Sequence, residues 1–534
     1  MSLPSGLSSP LTTPREVALG WAVLAGVAGL SFFTQLNALP FFDEDEAMCA
    51  ASTAEMLARR DFVSVYLDGA PHDHKPILTY WLQTFAAVVG GFGEGVLRLP
   101  SALAATAWGV AIVAFTARYG DMATARAAGL AFAGALLVPV IGRAATADAL
   151  LNLWLALALL DIYRHSQTPT LAIRLRVYLW LGLGMLTKGP VALALPLLVS
   201  GAFYHVSGRS GLWWRAIFDL RGWLLLTAVL APWLWLVYRA QGFEFFEQLV
   251  WVQNVERYTR TFQGHGGHWW YYLVVAPLVL LPVGSWVLVA LGRQLRRGFD
   301  ELDRFLLLWA GLVLGFFSLS QTQLPHYVLY GATPLFIFAA RHRHALGTGP
   351  VSGGVLFAPA LGLLAALAVL PAVAGAAAGK LALDPHGAEV LARAAAVLAE
   401  DDRYTWLTLG ALGAGRWLAW TQGPRWQRLV ALGVVQTAVV SFALLPAAGR
   451  VVQEPVMAAA ALAGPGKGVV TFRTHLPSFS VYRGAPTPHR LPAPGELVFV
   501  RVDKLPALAR AVDGPLDTVY AGGGVRLLRL GVQP

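Results

Sequence analysis

Cysteine is nearly missing. Cys49 is the only one in 534 residues, so no intramolecular disulfide framework is available. Charge is scarce too: 13% of residues are charged, against roughly 25% in ordinary soluble domains. With 56% hydrophobic residues and a mean hydropathy of +0.57, both a water-soluble globule and a disordered chain are excluded. Lysine is rarer still, and only Lys75 and Lys188 precede Lys380. The net charge of +10 comes mostly from arginines dispersed between apolar runs, which excludes the clustered patch a nucleic-acid groove needs.

What fills the sequence is apolar stretches long enough to cross a bilayer, which takes ~20 residues. About thirteen can be placed, among them Ala18 to Ala38, Ala127 to Ile141, Val177 to Leu186 and Trp269 to Leu291. The first is too closely followed by others of its kind to be read as a cleaved signal. With the N-terminus inside, every even connection is basic: Arg118 and Arg126, then Arg164, Arg174 and Arg176, then Arg209, Arg215 and Arg221, and so on to Arg425 and Arg428. The first outside connection, about 39–97, holds nine acids against three basic residues. Within it, Met48 to Leu57 and Ile77 to Val88 have the apolar spacing of interfacial helices.

After Leu445 the pattern changes to short β-type runs, Val469 to Phe472, Leu497 to Val502, Thr518 to Ala521 and Val525 to Leu530, with a short helix expected over Pro506 to Val512. The expected architecture is an all-α polytopic bundle over 1–446, with interfacial helices, followed by a small extracytoplasmic α/β domain over 447–534.

Five segments put chemistry at the outer span ends. Asp43, Glu44, Asp45 and Glu46 follow the first span, where four carboxylates in lipid would cost on the order of 10 kcal/mol, so they must face water or cations. His74-Lys75-Pro76 places a lysine just before a helix start, suited to holding an anion there. Arg143 and Asp148 flank the third and fourth spans, and Lys188 precedes a Gly-Pro break. The loop from Gln241 to His268 carries Asn254, Arg257, His265 and His268, and the spacing of its histidines is weak as a metal signal. His326 and Tyr327 stand at another outer end, where Tyr327 reads equally well as an interface anchor. Convergence of charge on one side fits an outward-facing active site, because an ion pathway would place ionisable groups near span centres.

Taken in order, Asp45-Glu46, His74-Lys75-Pro76, Arg98-Leu99-Pro100-Ser101, Thr146-Ala147-Asp148, Leu186-Thr187-Lys188-Gly189-Pro190, Asn254 to Tyr258 and Leu324-Pro325-His326-Tyr327 resemble bacterial polyprenyl-phosphate-dependent glycosyltransferases. These are the aminoarabinose lipid A transferases and protein O-mannosyltransferases, whose shared fold is called GT-C. The resemblance implies transfer of a sugar from a polyprenyl-phosphate donor to an envelope glycolipid, glycan or protein, outside the bacterial inner membrane. It implies a catalytic Asp45 and donor-phosphate binding by Lys75 and Arg257; Asp148 is a second catalytic candidate, placed to contact sugar or to hold Lys75. The family's Glu before the lysine is His74 here, an Arg three residues after the Asp is Met48, and a loop His is Asn254. A Glu/His metal pair therefore does not carry over; a divalent metal is left open and no nucleotide cofactor is expected. A flippase for lipid-linked sugars is the alternative reading.

Overall fold

The computed structural model describes residues 14–256, 267–347, 353–381, 383–466 and 468–531. Its apolar runs form helices because only an internally hydrogen-bonded backbone is tolerated in lipid. The first eleven are α1 (Pro14–Phe33), α2 (Asp45–Arg59), α3 (Leu78–Gly90), α4 (Glu94–Tyr119), α5 (Met122–Ala133), α6 (Leu137–Arg143), α7 (Asp148–Gln167), α8 (Leu171–Lys188), α9 (Val191–Val206), α10 (Ser210–Ile217) and α11 (Leu220–Gln241). α7 packs against α4, α8 and α9 and is buried on nearly every side. That explains an apolar run without a polar face.

Among the described residues, four helices are long and apolar enough to cross a membrane: Glu94–Tyr119, Leu220–Gln241, Gly354–Ala377 and Arg425–Val452. Two bent pairs raise that number to six. Both bent pairs were expected as single spans. The run from Ala127 to Ile141 instead breaks between α5 and α6, with a 71° bend, and Trp269 to Leu291 breaks between Tyr271–Val279 and Val283–Arg297, with a 118° bend. The breaks serve each other: the Leu136 amide donates to the Leu281 carbonyl at 2.8 Å. Gly134 and Gly433 lie so close that a Cβ on Gly433 would meet the Gly134 carbonyl oxygen at 2.5 Å. Broken backbone is thus satisfied inside the protein, as the hydrocarbon demands.

The first connection folds as α2, a small hairpin of β1 (Tyr66–Leu67) and β2 (Ala70–Pro71), and α3. α3 has only 13 residues and leaves Phe85, Val88 and Val89 at least 70% exposed, a lipid-surface face. At the other end of the chain, β3 (Val469–Thr471), β4 (Leu497–Arg501), β5 (Leu516–Gly522) and β6 (Val525–Leu530) form one sheet in the order β3-β4-β6-β5. The first pair is parallel and the others antiparallel. The run expected as a helix from Pro506 is helical over Leu505–Ala509. A helix that the sequence pattern missed, Pro477–Arg483, stacks Phe479 on Phe499 at 4.0 Å and packs against α2. It brings the chain's last segment onto its first loop.

Candidate active site

Asp45 opens α2, and the residue before it, Glu44, takes a positive φ (68°) where the chain turns into the helix. Lys75 closes the loop after the hairpin, just before Pro76 and α3. The Lys75 ammonium donates to Oδ1 of Asp45 and is itself buried. Burial by itself would raise the Asp45 carboxyl, but the charges of Lys75 and Lys188 outweigh it and hold that group well below the usual carboxylate range. Lys75 pays the same desolvation, and Asp45 reverses it, keeping the ammonium fully protonated.

Facing this pair is a second one. Asp148 opens α7 and is 2% exposed. Its Oδ1 accepts from the Lys188 ammonium at 2.6 Å and from the Tyr330 hydroxyl at 2.6 Å, and Lys188 also donates to Tyr330 at 2.9 Å. His326 Nε2 lies 3.7 Å from the same oxygen. The Lys188 ammonium also sits 5.7 Å and 5.6 Å from the ring centres of Tyr327 and Tyr330, a cation–π cradle. Asp148 therefore hydrogen-bonds Lys188, and it reaches Lys75, the partner expected of it, through charge alone. Tyr330, which the sequence reading did not single out, stands three residues past Tyr327 on the 3₁₀ turn Pro325–Gly331. In that geometry residues i and i+3 eclipse, which is the signal that would have found it.

Ligand atoms of Asp45, Asp148 and His326 all lie within 4.8 Å of one another. A cation bound by this set would share the two carboxylates with the ammonium groups of Lys75 and Lys188, which already pair with them. The donor set, two acids matched by two ammonium groups, fits an anion-binding rim better than a metal centre.

Other expected site residues hold the scaffold. Asp43 accepts from the Ser478 amide at 3.0 Å, the Ser478 hydroxyl at 2.8 Å and the Gln453 side chain at 2.9 Å, clipping the last segment to the first loop. Glu46 is buried in a two-point ion pair with Arg98 at 2.8 and 3.0 Å and also accepts from the Ala145 amide at 2.8 Å. Arg143 donates to the Pro139 carbonyl at 3.0 Å and to the hydroxyls of Thr34 at 3.2 Å and Ser441 at 2.8 Å, tying three helical segments together. His74 is exposed, with its ring 4.1 Å from His72. Burial, together with the charges of His74 and Lys75, holds His72 far below its ordinary value, so it stays neutral. Arg257 and His265 lie outside the described residues, and the side chain of Asn254 is likewise not described.

These features define a class: a helical membrane bundle with an acid–lysine rim and a sheet clipped over its first loop. Superposition places that class. The chain matches the crystal structure of ArnT from Cupriavidus metallidurans bound to undecaprenyl phosphate with a TM-score of 0.76 at 20% identity, covering 96% of this chain and 98% of that one. The fold is the GT-C fold, and the resemblance to polyprenyl-phosphate-dependent membrane glycosyltransferases holds in sequence as well. Residues 74–236 match the family profile of dolichyl-phosphate-mannose-protein mannosyltransferases. The undecaprenyl phosphate-alpha-4-amino-4-deoxy-L-arabinose arabinosyl transferase of Erwinia tasmaniensis is 28% identical over 359 residues, 64% of this chain and 63% of that protein. The enzyme of the same name from Pseudomonas paraeruginosa is 29% identical over 336 residues, 61% and 59% of the respective lengths. The matched region thus spans less than two thirds of either relative.

Proposed function

We propose that the protein is a membrane glycosyltransferase that moves a sugar from a polyprenyl-phosphate donor to a cell-envelope acceptor. The observation that carries this is the pair of facing acid–lysine couples, Asp45–Lys75 and Asp148–Lys188, at one rim of the bundle. An incoming phosphate competes with Asp45 for Lys75. As the bond between the anomeric carbon and the phosphate oxygen breaks, the leaving polyprenyl phosphate gains charge, and Lys75, with Arg257, neutralises it. Losing part of its cationic partner raises the basicity of Asp45, which then takes the proton of an acceptor hydroxyl attacking the anomeric carbon with inversion. Where the acceptor is already an ionised phosphate, Asp45 orients instead. Asp148, Lys188 and Tyr330 form the opposite wall, against which the sugar lies.

In this reading the bundle over 1–446 has about thirteen spans, counting shorter and charge-bearing helices such as α7 and α8 beside those long enough by themselves. It sits in the bacterial inner membrane with the site and the segment over 447–534 outside, where no nucleotide is available and a lipid must carry the activated sugar. The acceptor is an envelope glycolipid such as lipid A, another glycan or a protein. The named transferases among the relatives favour this over a flippase, and their donor, undecaprenyl-phosphate aminoarabinose, is the first to test. Lys75 and Arg257 supply in this reading the charge neutralisation a metal would otherwise give, so chelation with EDTA should leave transfer unchanged.

The test is release of polyprenyl phosphate from such donors by the purified full-length chain in detergent. Asp45→Asn and Lys75→Ala should each lower the rate by about 10²- to 10⁴-fold without reducing membrane abundance. Full activity in both folded variants would overturn the roles, and lipid translocation without glycosidic cleavage would point to the flippase.

A further inference from the structure

α7 starts at Asp148 and α8 finishes at Lys188, so the far ends of these helices lie at the opposite end of the bundle from the acid–lysine rim. His165 on α7 is 17 residues from Asp148, or about 25 Å of helical rise. There α7, α8, α9, α10 and α11 do not close on one another but leave a cavity of about 130 Å³ that opens to the outside. Its walls are almost wholly apolar, with Val177, Leu181, Leu193, Leu197 and Leu226 among them.

Beside the hydroxyls of Tyr178, Ser200 and Tyr204, two residues with an unmatched polar atom interrupt that lining. His165 is 3% exposed; its Nδ1 lies 2.8 Å from the Tyr204 hydroxyl, while its Nε2 is buried with no hydrogen-bond partner among the described residues. Arg174 spends its Nη2 on Asp219 at 2.5 Å, but its Nε is buried and has no partner among the described residues either. Leaving the Arg174 Nε–H unmatched in a low-dielectric wall costs free energy that a ligand oxygen would recover, whereas the Tyr204 hydroxyl donates to the Ile162 carbonyl at 3.2 Å, so His165 gives it the Nδ1 proton and keeps Nε2 as an acceptor.

The lip of the cavity is α10, a short helix with no buried residue that leaves Trp214 51% exposed and is followed by Phe218 at 75%. Exposed aromatic rings of this kind sit at the headgroup level of a bilayer. Arg215 on α10 and Arg221 on α11 are exposed beside them, giving the mouth a positive surface.

We propose that this cavity is a lipid site that holds one acyl chain of an anionic glycerophospholipid from the leaflet opposite the active site. The chain fills the apolar walls, and an ester or phosphate oxygen accepts from Arg174. A small polar metabolite would leave the leucine-lined wall wet. A zwitterionic lipid would bring a cation to a mouth that already carries two exposed arginines. The polyprenyl donor has its phosphate at the other end of the bundle.

The experiment is native mass spectrometry of the delipidated full-length protein, titrated separately with dioleoyl phosphatidylglycerol, dioleoyl phosphatidylcholine and undecaprenyl phosphate. One phosphatidylglycerol should be retained at least tenfold more tightly than phosphatidylcholine. Leu197→Trp, which plugs the cavity, should weaken it at least tenfold, and Arg174→Gln should bring its affinity close to that of phosphatidylcholine. Photo-crosslinking of the unaltered protein with a diazirine-tailed phosphatidylglycerol keeps the question open to decision if a variant misfolds: adducts should fall on peptides of α7 to α11. Equal binding of the two diacyl lipids, undiminished binding by a folded Leu197→Trp protein, displacement by undecaprenyl phosphate, or adducts elsewhere would each overturn the proposal. Sugar transfer is measured independently, so its failure would not be mistaken for failure of the lipid site.

Discussion

Tyr330 and Asp73 show how single side chains set the chemistry of the rim. Tyr330 both donates to Asp148 and accepts from Lys188, so it fixes the geometry of that couple. Hydrogen bonds to charged groups contribute about 1.5–3 kcal/mol. Tyr330→Phe should therefore lower kcat by roughly tenfold or more with little change in KM for the donor, read by steady-state kinetics. Asp73, two residues before Lys75, is half-buried; burial first, and then the nearby Glu244, push its carboxyl up to about 6 from an ordinary 3.8. The folded state thus holds a proton between those pH values that the unfolded chain has lost, and the penalty for the charged form accumulates as pH rises. Asp73→Asn should raise the melting temperature above pH 6 and leave it unchanged below pH 4, measured by thermal unfolding in detergent across that range.

At the level of helices and strands, the first loop is held by the Glu46–Arg98 pair. Arg98 also donates to the carbonyls of Leu36, Leu39 and Pro40 at 2.8, 2.6 and 2.7 Å. Arg98→Ala strands a buried carboxylate and several carbonyls at once, and should cost about 3–5 kcal/mol, seen as loss of folded, monodisperse protein.

Much of this organisation is legible in the sequence. The apolar runs, the interfacial face of α3 and the four C-terminal strands follow from periodicity alone, and Asp45, Lys75, Asp148, Lys188 and His326 stand out because charge is so rare near apolar runs. Periodicity could not give the two helix breaks, because the Leu136–Leu281 contact that satisfies them joins residues far apart in the chain. Nor could it separate Asp45 from Glu46, adjacent acids of which one faces the rim and the other a buried arginine. Which lysine each aspartate takes is likewise a matter of tertiary geometry.

Across the whole molecule, the last segment grips the first loop at two acids, Asp43 and Asp68. Asp68, in a left-handed conformation (φ 53°), accepts from the Ser480 hydroxyl at 2.5 Å, the Thr487 amide at 3.2 Å and His489 Nε2 at 3.1 Å. Asp68→Ala should release that grip, so that trypsin cuts after the exposed Arg473 several times faster than in the parent protein, followed by gel and mass analysis.

The grip also imposes an order on biosynthesis. The loop that carries Asp45 and Lys75 is made early, and although Arg98 and Gln453 also hold it, Ser478, Ser480, Thr487 and His489 are translated only after residue 470. A half-made chain in the translocon therefore has Asp45 and Lys75 without the clamp that steadies their loop. The loop thus reaches its final setting late, when the segment after residue 470 has folded back onto it.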